Sequence, residues 1–345
     1  MNFLSRLTTF LLTPLTKPTT TTNSATPKNV ANITPKITDE RFSKRVVDKR
    51  RLLLVFTSVL LTVLVVIFIF SKSIAIKACI EAMVVFGTTV MPVIIPFSTL
   101  LVLLNYNLDK EFNGKNNFIF KALKGLFLIT AGYPTGAKTA LYLHDNGANI
   151  TTCKRLVFIT SIASPLVIIN CVGRLTFKSA IFGVIMFLAQ LLSAKITVDI
   201  CFSCDKNSLD FLPNKCNILG ALIENIKAIL LSAMLTLTCY STVKIAVDIL
   251  LKSAVNYPLL VGTIAGLIET NYGMKWFSLV ISPLSISLAN FILTFGGAPV
   301  IFQTAIICKQ LKMRTAKVLK IKLLQSAICF ILTYLFMIIF FFLAL

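Results

Sequence analysis

One seven-residue stretch of this sequence combines a lysine, hydroxyl groups and helix-breaking residues. It reads Gly132-Tyr-Pro-Thr-Gly-Ala-Lys138 and is flanked by apolar segments. Its glycines and proline release backbone N–H and C=O groups, which a membrane tolerates only where they are buried in protein or line a wet cavity. A helix that starts there would point free N–H groups at an anion, and Lys138 would add a positive charge. The substrate-binding residues predicted here are Gly132, Tyr133, Pro134, Gly136 and Lys138.

The alternative for this stretch is a tight helix-packing contact made by its small residues, with Lys138 extending to the membrane interface. A second broken stretch, Phe295-Gly-Gly-Ala-Pro-Val-Ile-Phe-Gln303, offers Gln303 as a donor and acceptor of hydrogen bonds. Glu269 ends an apolar segment, where a carboxylate is costly unless it is paired, hydrated or protonated, so it is either functional or an interfacial helix end. The further predicted substrate-binding residues are Thr160, Ser164, Glu269, Gly296, Gly297 and Gln303.

The elements that must position these residues are membrane helices. The chain has 345 residues, of which 56% are hydrophobic and 14% are charged. A soluble domain carries about 25% charged residues. The runs 52–70 and 323–345 are long enough to span a bilayer, and continuous apolar runs indicate helices rather than the alternating strands of a barrel.

The net charge of +21 is concentrated beside these two runs, in the basic clusters 41–51 and 309–322. Juxtamembrane clusters of this kind are typical of cytoplasmic loops, so we expect membrane-lipid contacts and no nucleic-acid partner. The segment 1–51, rich in threonine, proline and lysine, is predicted to be a disordered cytoplasmic tail.

The remaining segment 52–345 is predicted to be a polytopic, all-α membrane domain with about seven to nine transmembrane helices. A weak internal repeat pairs Leu128-Ile-Thr-Ala-Gly132 with Ile292-Leu-Thr-Phe-Gly296. It divides the domain into halves of about 74–200 and 218–345, each with one re-entrant or broken segment. Paired broken segments are typical of the central site of a transporter.

Catalytic and metal chemistry have little support in the sequence. We find no phosphate-binding loop, no paired histidines and no serine nucleophile elbow, so we expect neither an enzyme nor a cofactor. Cys201-x-x-Cys204 with Cys216 lacks a fourth ligand nearby, and no metal site is predicted.

From about residue 74 to 340, the chain resembles the sporulation integral membrane proteins of spore-forming Firmicutes. These belong to the nucleoside-recognition (Gate) group and are tied to dipicolinate passage into the spore. The resemblance implies a mother-cell or forespore membrane location. It is carried by Pro92 and Pro96, Gly132-Tyr-Pro-x-Gly-Ala-Lys138, Ser164-Pro165, Gly266-Leu-Ile-Glu269 with Gly273, and Phe295-Gly-Gly with Gln303.

The chain departs from this family in two places that bear on substrate identity. Ser161 and Ile162 replace the paired asparagines expected before Ser-Pro, and Pro299-Val-Ile301 replaces Ser-Val-His. Our first hypothesis is a transporter of a small anionic solute, bound by Lys138, Gln303 and Thr160, with Glu269 coupling protons or shaping a gate. The alternatives are a non-transporting component that docks a membrane partner or a second copy of itself, and a nucleoside transporter.

Overall fold

The protein is described here from a computed structural model. The structure describes residues 72–112, 128–145 except 131 and 134, 147–202, 218–250 and 256–343, with isolated positions between 58 and 70. The predicted tail 1–51, most of the predicted span 52–70, and Cys204 and Cys216 lie outside the described residues. Every secondary-structure element of the described part is helical, which confirms the all-α class there.

The helices of the first half are α1 Lys72–Val85, α2 Met91–Phe112, α3 Thr135–Asp145, α4 Ile150–Ile159, α5 Val167–Thr176 and α6 Ala180–Cys201. Those of the second half are α7 Ile218–Leu250, α8 Pro258–Ile268, α9 Thr270–Phe277, α10 Pro283–Phe295, α11 Gly297–Gln310 and α12 Thr315–Leu343. A wide π-helical turn, Phe86–Val90, joins α1 to α2, and α5 is itself a π-helix.

Five of the described helical segments are long and apolar enough to cross a membrane. They are Ser73–Val90, Ala180–Cys201, Ile218–Ile249, Pro283–Gln310 and Thr315–Leu343. These helices fit a membrane protein, because a bilayer core of about 30 Å needs about 20 apolar residues in helical form. The expected total of seven to nine crossings stays a prediction, since part of the chain lies outside the described residues.

Helix α6 shows how the membrane inverts the usual arrangement of side chains. Its exposed face carries large apolar residues such as Ile181, Leu188 and Leu192. Its buried face carries small and polar residues, among them Gly183 and Gln190. In lipid, apolar side chains gain nothing by leaving the surface, and small residues let helices approach closely. The α6 pattern therefore indicates a lipid-facing helix that packs inward through its small residues.

Prolines act differently at different places in this fold. Ser282 accepts a hydrogen bond from Ser285 N–H at the start of α10, where Pro283 takes the first helical position. The Ser164-Pro165 pair lies between α4 and α5, where the chain leaves the helix. Just before Pro92 the chain forms a wide turn, in which Met91 N–H donates to the Phe86 carbonyl five residues back. This wider hydrogen-bond spacing accommodates the donor that Pro92 lacks, so the helix continues.

Helices α8 and α9 pack through glycines. A Cβ added to Gly273 would lie 2.5 Å from Gly266 Cα and 2.8 Å from the Gly262 carbonyl oxygen. The obstructing atoms are backbone, so the helices themselves would have to separate to accept it. This close approach sets the position of the loop between them, which contains Glu269.

We predict that Gly273→Ala will lower the free energy of unfolding by about 1–3 kcal/mol, the usual range for overpacking. Reversible unfolding of the purified protein in mixed detergent micelles would measure the change. Gly220→Ala is the matched control, because nothing lies within 4 Å of the Cβ that it adds to α7. An equal loss of stability in both variants would contradict the assignment of a tight α8–α9 contact.

Candidate functional site

Both glycine-broken stretches contain left-handed backbone. Gly132 has φ of +61°, and Gly296 and Gly297 have φ of +89° and +63°. These left-handed conformations strain any residue with a Cβ, which explains glycine at each position. A new helix follows each turn, α3 from Thr135 and α11 from Gly297. The helical path is therefore interrupted at both places that the sequence indicated.

Side-chain and backbone hydrogen bonds join these breaks to each other. Tyr133 Oη donates to Gln303 Oε1 at 2.8 Å, which links the turn before α3 to helix α11. Tyr133 N–H donates to the Ile162 carbonyl at 3.0 Å, in the segment between α4 and α5. Gln303 is buried, and its Nε2 has no hydrogen-bond partner among the residues that the structure describes. The arrangement leaves one buried amide donor beside the joined breaks.

The non-helical segment 160–164 between α4 and α5 is held from two sides by buried side chains. Lys322 Nζ donates to the Ser161 carbonyl at 2.8 Å and lies 3.2 Å from Ser161 Oγ. Gln190 Oε1 accepts from Ala163 N–H at 3.1 Å. Both side chains are fully buried. They supply hydrogen-bond partners that water would otherwise have to provide.

Gln190 is itself positioned by a chain of buried hydrogen bonds. Its Nε2 donates to Asn290 Oδ1 at 2.8 Å, and Asn290 Nδ2 donates to Thr333 Oγ1 at 2.7 Å. These residues lie on α6, α10 and α12. The network connects both halves of the chain to the non-helical segment 160–164. Movement of any of these three helices would therefore change the hydrogen bonds that hold this segment.

Lys322 is the most unusual residue of the site. Its side chain is 0% exposed, and its third acceptor is Gln325 Oε1 at 3.4 Å. Three neutral acceptors match the three N–H donors of an ammonium group. Within the described part of the chain, Lys322 makes no ion pair with a carboxylate. A buried cation with only neutral partners favours an anion beside it.

This placement corrects the assignment of Lys322 to the basic cluster before the last span. Helix α12 begins at Thr315, so Lys322 lies two turns inside it. The other basic residues of that cluster are exposed, namely Lys309, Lys312, Arg314, Lys317 and Lys320. The early start of α12 rotates Lys322 onto the buried face that also carries Gln325 and Ser326.

A cavity of about 510 Å³ opens beside these groups. We call the lining residues Tyr133, Ser161 and Lys322 the cavity floor. We call the lining residues Glu81, Tyr240 and Lys275, which hydrogen bonds join to each other, the cavity mouth. The floor residues are mostly buried, whereas the Lys275 side chain is 60% exposed. The lining of the cavity therefore includes both buried groups beside the helix breaks and an accessible charged residue.

Three of the residues predicted from the sequence line this cavity: Tyr133, Ser164 and Gly296. Gln303 lies behind Tyr133 and holds its hydroxyl. Lys138 is partly buried on α3 and is not among the described residues that line the cavity. Pro134 lies outside the described residues.

The other predicted residues support the cavity wall from behind. A Cβ on Gly132 would lie 2.8 Å from Ser164 N, and one on Gly136 would collide with the Thr160 side chain. Gly297 faces the Ile268 carbonyl, which a Cβ would approach at 3.1 Å. These glycines permit close packing of backbone around the site.

Glu269 is buried and caps α9. Its carboxylate accepts from Tyr272 N–H at 2.7 Å and from Asn271 Nδ2 at 2.9 Å. Asn271 lines the cavity, so Glu269 fixes the orientation of a cavity side chain. A carboxylate at a helix N-terminus is stabilised by the free backbone N–H groups there.

Sequence reasoning missed Lys322 as a site residue. A signal for Lys322 did exist, because it begins a polar stripe at helical spacing within an apolar run. The stripe comprises Lys322, Gln325, Ser326, Cys329 and Thr333, all buried in the structure. In a membrane helix such a stripe faces protein or a wet cavity rather than lipid.

In comparisons with known proteins, no family model, curated protein or solved structure matches this chain.

We predict that Tyr133→Phe will lower the free energy of unfolding by about 1–3 kcal/mol, because it leaves the buried Gln303 carbonyl oxygen without a donor. Replacing both partners, with Tyr133→Phe and Gln303→Leu, should cost less than the sum of the single changes by about 0.5 kcal/mol or more. A double-mutant cycle of unfolding in detergent would measure this difference. Strictly additive costs would contradict the hydrogen bond that joins the two breaks.

Proposed function

We propose that this protein is a membrane transporter for a small anionic solute, which binds in the cavity between the helix breaks. The observation that carries the proposal is Lys322, a fully buried lysine at the cavity floor whose partners are all neutral. An anion in the cavity would supply the missing negative charge by replacing one of the three neutral acceptors at Lys322 Nζ. Few interactions compensate a buried cation as well as a directly contacting anion.

The size of the cavity, and the polar groups within its mostly apolar lining, fit a small solute that carries polar groups. A volume of about 510 Å³ falls within the range of about 300–1,000 Å³ that is usual for small-molecule sites. The hydroxyls of Ser161, Ser164 and Tyr133 border it together with the Asn271 side chain. Hydroxyl and amide groups donate hydrogen bonds to carboxylate or phosphate oxygens. In this proposal Lys322 takes the role that the sequence hypothesis gave to Lys138.

In this proposal a buried apolar cluster closes the solute path on one side of the membrane. The buried residues Leu143, Phe158, Val198, Leu311 and Val318 form part of one cluster, which we call the apolar plug. In this proposal the plug separates the cavity floor from the turn before α12, because its residues Leu311 and Val318 flank that turn. That turn carries exposed Lys312 and Arg314. Basic ends of membrane helices face the cytoplasm, so in this proposal the plug closes the cytoplasmic side while the cavity mouth faces the other.

Transport would then require the plug to open while the mouth closes. Broken helices suit such a motion, because non-helical joints let helix segments move as separate bodies. The resemblance to sporulation membrane proteins suggests dipicolinate, whose carboxylates provide the required negative charge. Glu269, as the cap of α9, is assigned a supporting role through Asn271.

The proposal is tested by uptake into liposomes that contain the purified full-length protein. Pyridine-2,6-dicarboxylate, other small carboxylates and nucleosides serve as probes. We expect Lys322→Gln to reduce carboxylate uptake about tenfold or more, the effect of losing at least 1.4 kcal/mol of binding free energy. Lys320→Gln is the matched control, because Lys320 is an exposed lysine of the same helix. Its uptake should equal that of the unsubstituted protein.

Equal uptake by both variants would contradict the role of Lys322. Faster uptake of nucleosides than of carboxylates would contradict the anionic class. If the folded protein moves none of the probes, transport itself is contradicted, and the hypothesis of a non-transporting membrane component is favoured.

A further inference from the structure

The cavity mouth contains a carboxylate that is shared by three donors from two other helices. Glu81 of α1 accepts at Oε1 from Lys275 Nζ at 2.8 Å and from Tyr240 Oη at 3.0 Å. Lys244 Nζ lies 2.9 Å from Glu81 Oε2. Tyr240 and Lys244 belong to α7, and Lys275 belongs to α9. The carboxylate thus joins three helices at the rim of the cavity.

The two lysines that pair with Glu81 are not equivalent. The Lys244 side chain is 16% exposed and has a second carboxylate partner, Asp248, at 3.4 Å. It is not among the described residues that line the cavity. The Lys275 side chain is 60% exposed and lines the cavity, and Glu81 is its single carboxylate partner within the described residues. Only Lys275 is placed to exchange partners with a solute.

We propose that Lys275 is a docking residue for the anionic group of the solute and that Glu81 is a competing internal ligand. This inference rests on the proposed function and adds a second contact to the site at Lys322. In the empty cavity, Glu81 neutralises Lys275. A carboxylate or phosphate oxygen of the arriving solute then replaces Glu81 Oε1 at the Lys275 ammonium. Glu81 keeps Lys244 and Tyr240, so the exchange leaves neither charge without a partner.

The competition has a consequence for selectivity. A neutral solute cannot replace the Glu81 carboxylate at Lys275. The Lys275–Glu81 ion pair therefore stays intact, and the neutral solute gains no electrostatic interaction with Lys275. An anion exchanges one ion pair for another at little cost. The cavity mouth would therefore favour anions before the solute reaches Lys322, and Glu81 would weaken the binding of every anion by competing for the same ammonium.

The alternative is that the Glu81 cluster serves only to fasten α1 to α7 and α9. The two interpretations differ in the expected sign of the mutational effects. If the cluster only holds the helices together, replacing Lys244 or Lys275 should reduce anion affinity by similar factors. The loss of Glu81 would then loosen the site and weaken anion binding. A competing-ligand role makes only Lys275 important for affinity, and the loss of Glu81 would strengthen anion binding.

The test measures the dissociation constant of pyridine-2,6-dicarboxylate for the purified full-length protein in detergent, by ligand-dependent thermal unfolding. The neutral diamide of the same ring is the control ligand. We expect Lys275→Gln to weaken binding of the dicarboxylate about tenfold, the usual scale for losing a charged contact. Lys244→Gln should change it less than about twofold. Glu81→Gln should strengthen it several-fold, and the diamide should bind weakly to every variant.

Lys275→Arg keeps the charge and should restore affinity to near the unsubstituted value, which separates loss of charge from loss of structure. The inference is overturned if Lys275→Gln and Lys244→Gln weaken binding equally, or if Glu81→Gln weakens it. Uptake into liposomes is measured in parallel. Binding with the predicted signs but without uptake would support the docking site and contradict transport. Absence of dicarboxylate binding by the unsubstituted protein would overturn the docking site.

Discussion

The architecture depends on one constraint: backbone groups released by a broken helix have no water to bind inside an apolar bundle. This protein breaks its helices at Gly132, at residues 160–164 and at Gly296. Polar side chains from distant helices replace the missing water. Lys322 and Gln190 hold the segment 160–164, and Tyr133 links the first break to Gln303 on α11. Removing any of these side chains would leave a buried polar group without a hydrogen-bond partner and would lower the free energy of unfolding.

Because the broken segments need hydrogen-bond partners, polar side chains are concentrated in the interior of the protein. The outer faces of α6 and α12 carry large apolar residues, while amides, hydroxyls and a lysine lie inside. Polar groups that surround a break also surround the space that the break leaves, so the supports of the backbone become the walls of a cavity. Structural support and solute recognition thus use the same side chains in the proposed mechanism, and Lys322 illustrates both roles.

The secondary structure and the breaks were largely predictable from the sequence, because both depend on local chemistry. Apolar runs of sufficient length predict helices in lipid, and most of the predicted run 323–345 lies in α12. Glycine and Ser-Pro pairs mark the turns at Gly132, Ser164 and Gly296. At Pro92 a π-helical turn adjusts the hydrogen-bond spacing just before the proline, and the chain stays helical. Proline patterns do not reveal whether a helix bends, widens or ends.

By itself, then, the sequence determined the membrane class, the helical segments and the positions where helices fail, since each follows from residues close together in the chain. Only the tertiary structure decided which charges face the cavity. Lys322 meets Ser161 across 161 positions, and Glu81 meets Lys275 across 194. A lysine near the start of an apolar run has the same local pattern whether it faces lipid head groups or a buried carbonyl. Its partner depends on helix rotation and packing, which local sequence does not encode.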